Sequence, residues 1–197
     1  MSAVVTIPST ELELMCWSAP TVADNLAIDD ALARTAWNTG RRVLRFWWGG
    51  PPSVLIGFSE RPGEVVDEAA CEKLGVNVLK RSTGGGAVLQ TSGVLNYSLV
   101  TPAPVSLKVQ RAFRLGTDLV CTILATFGLT GRAEGISDVA VGHRKISGNA
   151  QARRWKSLLL HGTLLADLDY DLAEAVLKHP PREPTYRRAR PHRDRKS

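Results

Sequence analysis

Residues 76–101 read VNVLKRSTGGGAVLQTSGVLNYSLVT. Two strand-like runs, 76–80 and 87–90, flank three consecutive glycines, and a third run, 94–101, follows three residues later. Neither gap has room for the dozen residues of a helical crossover. Strands that come in runs, with helices only between the runs, point to an α+β fold rather than regular βαβ repetition.

The flanking sequence agrees. Upstream, the runs VLRFWW (43–48) and SVLIG (53–57) are joined by Gly49-Gly50-Pro51-Pro52, a turn signal. Residues 12–17 alternate weakly and read as a further strand. Residues 24–38 place Leu26, Ala27, Leu32, Ala33 and Ala36 near helical spacing. Residues 66–74 read as a short helix closed by Gly75. Downstream, 107–127 is a long amphipathic helix ended by Gly128. The runs 137–141, 144–151 and 158–166 read as strands, with Gly142-His143 at a hairpin turn, and 171–178 is a last short helix.

A chain of 197 residues, 44% of them apolar, suits one domain with a sizeable core. Nothing resembles a membrane span or a secretory leader. Three cysteines without CxxC spacing give neither a disulfide framework nor a zinc site, so a cytoplasmic setting is expected. The net charge of +6 is unevenly spread. Residues 182–197 hold seven Lys/Arg and two Asp/Glu, a net of +5, which leaves +1 for the other 181 residues (18 basic, 17 acidic). The near-neutral body speaks against nucleic acid as the main partner, and the basic segment reads as a flexible tail.

Three islands carry candidate chemistry. RSTGGGAV (81–88) offers consecutive backbone N–H groups that could form an anion nest, with the Arg81 fork beside them; it would also serve as a glycine-rich turn. It is neither a Walker loop nor a dinucleotide fingerprint. GHRKISGNAQ (142–151) sets Lys145 near the small residues Gly148 and Ala150. There it could reach across a cleft toward a carboxylate or phosphoryl oxygen, or guard a sheet edge. HGTLL (161–165) presents His161 as an acid–base group or as a hydrogen-bonded, partly buried residue. Cys16, Cys71 and Cys121 have no neighbouring His or basic cluster that would activate a thiol.

Taken in order, these islands resemble the lipoate–protein ligase A family, within the wider group of biotinyl/lipoyl protein ligase catalytic domains. The resemblance is carried by NLAIDDAL (25–32), VLRFW (43–47), SVLIG (53–57), RSTGGGAV (81–88), Asn96-Tyr97, SDV (137–139), GHRKISG (142–148) and HGTLL (161–165). It implies an α+β domain over residues 1–181, with a mixed, mostly antiparallel central sheet flanked by helices, and the basic tail over 182–197. It implies ATP-dependent attachment of lipoate or octanoate to a specific protein lysine through an acyl-adenylate. Lys145 would be the catalytic group. Arg81, Gly84, Gly85, Gly86, Ala87, Val88, Leu89, Asn96 and Asp138 would hold the nucleotide and acyl-adenylate together with Lys145. Ser147, Gly148, Ala150, His161, Gly162 and Thr163 are secondary candidates. Mg²⁺ is expected with the triphosphate, and no residue is assigned as a metal ligand. The FWW and LLL runs could help line an apolar tunnel for the acyl chain. The partners implied are lipoyl-domain acceptors such as E2 subunits or the glycine-cleavage H protein.

Departures from the family pattern shape the alternatives. Gln90-Thr91 replaces a common His-Asp, Ser59-Glu60 a common Gln-Asn, and Asn149 a common Ser. Neither cysteine position of the thiol-dependent octanoyltransferases is occupied, because 135–137 read Gly-Ile-Ser and no Cys follows residue 121. The family's C-terminal accessory domain is not matched, so a separate accessory ligase chain or a C-terminal truncation is expected. The alternatives are ATP-independent lipoyl or octanoyl transfer between carrier proteins, and a transfer-only or non-catalytic binding module that needs a partner chain.

Overall fold

The computed structural model describes residues 11–103 and 107–178. The basic segment 182–197 lies outside the described residues. In chain order the elements are β1 (Glu13–Cys16), α1 (Val22–Thr39), β2 (Val43–Trp48), β3 (Ser53–Ile56), α2 (Pro62–Val65), α3 (Glu68–Leu74), β4 (Asn77–Lys80) and β5 (Val88–Gln90). They continue with β6 (Val94–Pro102), α4 (Val109–Thr126), β7 (Gly131–Glu134), β8 (Asp138–Val141), β9 (Arg144–Arg154), β10 (Ser157–Leu165) and α5 (Tyr170–Val176).

The architecture is α+β, built on a seven-stranded sheet in the order β1-β2-β6-β10-β9-β8-β7. Only β1 and β2 run parallel; every other neighbouring pair is antiparallel. A second, three-stranded sheet, β4-β3-β5, carries the triple-glycine segment between β4 and β5. Sequence patterning implied one sheet, because runs of strands do not reveal which runs pair with which.

Strand alternation gives the large sheet two faces. On the front face, Ala33 and Ala36 of α1 pack on Val100 and Leu159. On the back face, Ala112 of α4 packs on Leu158 and Leu160, and Val120 and Leu124 pack on Tyr97 and Val139. The LLL run is thus packed into both cores. The small sheet meets the front of the molecule through Leu55, Leu79 and Val88, which cluster with Trp47 and Val22. Its other surface forms a core with Val65, Val66, Cys71, Ala173 and Val176.

The helix boundaries follow capping chemistry. Thr21 accepts from the Asp24 amide and starts α1, and Gly40 at φ 71° ends it. The helix expected over 66–74 is α3, which starts two residues later. Asp67 caps α3 by accepting from the Ala70 amide, while Val66 bridges to Leu177 and α2 forms a separate turn. β7, GRAE, was missed because its residues are mostly half or fully exposed and carry no alternation. The β9–β10 hairpin turns through Trp155 and Lys156, at φ 54° and 56°. Arg34 stacks on Trp155 at 4.2 Å and Lys156 lies over Trp37 at 5.2 Å, which helps offset the strain of two non-glycine residues in that region.

The inner face of α1 holds polar groups that periodicity did not select. Buried on it are Val22, Asn25, Asp29, Ala33 and Ala36. Asp29 takes a 2.8 Å ion pair from Arg45, and the Asn25 side chain accepts from the same guanidinium. Trp47 Nε1 and the Ser98 hydroxyl also donate to Asp29. Arg45 and Asp29 are 0% and 1% exposed at the side chain, so each needs the other. Replacing Asp29 with Ala is expected to cost ~3–5 kcal/mol in urea unfolding, because a buried guanidinium loses its counter-charge. Replacing Glu13, whose pair with Arg41 is solvent-exposed, should leave the unfolding midpoint unchanged.

Candidate active site

Two registered rows of residues cross the front face of the large sheet. One runs Trp47–Asn96–Thr163–Gly148–Asp138 across β2, β6, β10, β9 and β8. The next runs Arg45–Ser98–His161–Ala150. The candidates Asn96, Asp138, Gly148, Ala150, His161 and Thr163, far apart in sequence, therefore share one surface. Lys145, at the start of β9, folds back over Gly148. Its Nζ lies 2.8 Å from Asp138 Oδ1, and its side chain is 14% exposed. A Cβ on Gly148 would stand 2.7 Å from that Nζ and 3.4 Å from Asp138 Oδ1, so only glycine leaves the pair its seat.

The triple-glycine loop closes on this floor. A Cβ on Gly85 would lie 3.9 Å from the Ala150 Cβ. Gly57 supports the loop from behind, and a Cβ there would meet the Gly85 carbonyl oxygen at 2.0 Å. The loop is tied to the floor by Thr83, whose Oγ1 is 2.6 Å from His161 Nε2. His161 in turn approaches Asp29 at 4.0 Å, which joins the loop to the buried Arg45 network.

Arg81 does something other than expected. It is 6% exposed, and its guanidinium donates to the carbonyls of Leu55 (2.7 Å), Gly84 (2.7 Å) and Gly86 (2.8 Å) and to Thr83 Oγ1 (3.1 Å). Burial pushes its pKa down to about 10, which the Glu60 carboxylate partly opposes, so it remains cationic at neutral pH. In a trans peptide the N–H points opposite to the C=O. All described peptides are trans, so drawing the Gly84 and Gly86 carbonyls toward Arg81 turns the Gly85 and Ala87 N–H groups away from it. Arg81 shapes the loop from inside, and the amides it turns outward can meet an anion.

Other candidates fall elsewhere. Ser147 is fully buried and, by strand alternation, belongs to the back face, as does Gly162. Leu89 packs in the core of the small sheet and Val88 beside the Trp47 cluster. Asn96 donates to Gln90 Oε1 at 2.8 Å and so stitches the two sheets together; Gln90 in turn donates to the Thr91 and Val94 carbonyls at 3.2 Å each. Sequence reasoning missed Asp29, Thr83 and Gly57. Asp29 had a signal, an acidic residue at core spacing on an amphipathic helix; Gly57 and Thr83 had none apart from lying next to strands. Cys71 and Cys121 lie in apolar surroundings away from the floor. Burial first, and then Asp67 and Glu68 near Cys71 and Asp118 near Cys121, push both thiols up, away from the reactive thiolate form. Among the described residues no three His, Cys, Asp or Glu side chains gather as a metal site, and no helix is long and apolar enough to cross a membrane.

Comparison with known proteins places this geometry. Residues 21–196 match the model of the lipoyl protein ligase A/B catalytic domain. The chain is 37% identical over 183 residues to the octanoyltransferase LipM of Carboxydothermus hydrogenoformans, covering 79% of this chain and 65% of that protein. It is 33% identical over 166 residues to lipoate-protein ligase A subunit 1 of Thermoplasma acidophilum, covering 79% of this chain and 63% of that protein. The chain thus spans less than two thirds of the length of these curated relatives. The bi-partite lipoate protein ligase solved from Thermoplasma acidophilum superposes with a TM-score of 0.82 at 31% identity, over 96% of this chain and 74% of that one. A lipoate-protein ligase A solved with bound ATP superposes at 0.79 and 32% identity, over 87% and 73%. With the family model covering nearly all of the described fold, the chain belongs to the lipoyl protein ligase A/B catalytic domain family.

Proposed function

We infer that this chain joins lipoate, or octanoate, to a lysine of an acceptor protein through an acyl-adenylate made from ATP. The observation that carries this reading is the Lys145–Asp138 pair, seated over Gly148 and facing the loop whose amides Arg81 turns outward. In the first step a carboxylate oxygen of the acyl substrate attacks the α-phosphorus of ATP and pyrophosphate leaves. In the second, the acceptor ε-amine attacks the acyl carbonyl, AMP leaves with the C–O bond electrons, and the amine gives up a proton.

Both steps build negative charge on oxygens around one phosphorus and one carbonyl. The Gly85 and Ala87 amides would hold the phosphate. The Lys145 ammonium would lie between the phosphate and the carbonyl, held there by Asp138. The substrate would lie over the small or short side chains of Gly148, Ala150 and Thr163, which share one face of the sheet. Among the described residues no cluster of His, Cys, Asp or Glu forms a cage for Mg²⁺, which would enter as part of the nucleotide substrate with phosphate oxygens as its main ligands. An E2 lipoyl domain or similar carrier, and an accessory chain, are the proposed partners. The solved bi-partite ligase with its E2 lipoyl domain supports both. The proposed setting is the cytoplasm.

Likeness to an octanoyltransferase favours a second reading, acyl transfer between carriers without ATP. The burial of Cys71 and Cys121, and their raised pKa values, weigh against a thioester intermediate on either. Mass spectrometry of a lipoyl domain separates the readings. The first expects a lipoyl adduct with lipoate and Mg-ATP, or with preformed lipoyl-AMP if an accessory chain is needed for activation. The second expects an adduct only from an acylated carrier. Lys145→Ala should lower transfer from lipoyl-AMP by ~10²–10³-fold, the scale of a lost oxyanion donor. Gly57→Ala forces the Gly85 backbone to shift; it should raise KM for ATP severalfold and lower the unfolding midpoint.

A further inference from the structure

On the back of the sheet, directly behind the site, the buried Tyr97 and the partly buried Asn149 form a polar unit at the edge of an apolar core. Tyr97 is 2% exposed and clusters with Val120, Leu124 and Val139. Its hydroxyl is shared between Asn149 Oδ1 and the Gly116 carbonyl of α4, 3.2 Å away. Burial pushes the phenol pKa upward, so it stays a neutral donor. The Asn149 Nδ2 donates to the Ser137 carbonyl at 2.8 Å, and the Asn149 backbone amide donates to the same oxygen at 2.9 Å.

Two glycines make room for this unit. A Cβ on Gly116 would meet Asn149 Oδ1 at 2.5 Å and the Tyr97 hydroxyl at 2.9 Å. A Cβ on Gly162 would meet the same two groups at 2.7 and 2.8 Å. Gly116 sits inside an 18-residue helix and Gly162 inside a nine-residue strand, where glycine is less favourable than alanine. Stability alone would be served better by an apolar pair, since polar groups are costly to bury. The placement has a different consequence. The doubly bonded Ser137 carbonyl belongs to the peptide that leads into Asp138, and Asn149 adjoins Gly148. The unit therefore grips the chain on both sides of the Lys145 seat.

We propose that Tyr97 and Asn149 are positioning residues, which hold Asp138 and the Gly148 floor in register so that the Lys145 ammonium is fixed in the site, and which tie that register to α4 through the Gly116 carbonyl. This rests on reading Lys145 as the group that meets the acyl-adenylate, and it deepens that reading. Locked supporting contacts of this kind keep a charged group within the fraction of an ångström that catalysis demands.

The test uses Tyr97→Phe and Asn149→Ala, with Leu124→Ala as a control that loosens the apolar packing on Tyr97 but removes none of the unit's hydrogen bonds. The first readout is trace labelling of Lys145 by a small acylating reagent, followed by peptide mass spectrometry on folded protein. Both polar variants should raise Lys145 labelling severalfold over wild type, and Leu124→Ala should not, although it lowers Tm as much. The second readout is transfer from lipoyl-AMP, where both variants should lose ~10–100-fold in kcat with KM held. Labelling equal to wild type in both variants overturns the inference, as does an equal rise in Leu124→Ala. Because labelling does not depend on turnover, a wild-type protein that transfers nothing would sink the functional reading separately, while the labelling result would still decide whether the unit holds Lys145.

Discussion

A guanidinium buried behind a triple-glycine loop is the constraint on which this molecule turns. Three glycines in succession would be a loose connection by themselves, since each has more conformational freedom to lose than any other residue. Arg81 removes that freedom by taking up the Gly84 and Gly86 carbonyls, together with Leu55 O and Thr83 Oγ1. The desolvation cost of the cation is offset by four charge-assisted contacts, each stronger than a neutral hydrogen bond. Through Thr83 and His161 the loop is linked to Asp29 and Arg45, and so to α1, β2 and β6. A flexible loop becomes one end of a polar chain anchored in the core.

The large sheet then works as a plate with a different task on each side. Toward the end of α1, the front face is apolar, Val100 and Leu159 under Ala33 and Ala36. One row on, it turns polar with Ser98 and His161, and the next row carries Asn96, Thr163, Gly148 and Asp138. This gradient separates the part of the face that packs under α1 from the part that carries the candidate site. The back face is filled by α4, with one polar insertion at Tyr97 and Asn149, opposite the site. Small residues recur where the layers must approach closely: Gly57 under the loop, Gly148 under Lys145, and Gly116 and Gly162 around Asn149.

Much of this could be read from the chain. Strand runs and turn glycines located most elements to within a few residues, because alternation and capping are local signals. The family resemblance grouped Lys145, Asp138, Asn96 and the glycine loop; the register puts Asn96 and Asp138 in one row, where Lys145 pairs with Asp138 and Gly85 approaches Ala150. What escaped the sequence was the direction of individual side chains. Arg81 beside a glycine-rich loop looks like an anion ligand, and only its contacts show that it binds carbonyls. Ser147 and Gly148 are neighbours on one strand and point to opposite faces. Asp29 and Asn25 interrupt the apolar periodicity of α1 because their partner, Arg45, comes from a strand many residues away. Pairing across the fold decides such cases, and local pattern does not record it.

If the front-face floor, Lys145 and the loop amides bind an acyl-adenylate as proposed, a crystal structure with a non-hydrolysable lipoyl-adenylate analogue will show it. The phosphate or its surrogate is then expected within hydrogen-bond distance of the Gly85 and Ala87 amides and of Lys145 Nζ, with Arg81 still holding the Gly84 and Gly86 carbonyls. An analogue bound on another surface, or Arg81 released from the loop to grip the phosphate, would contradict it.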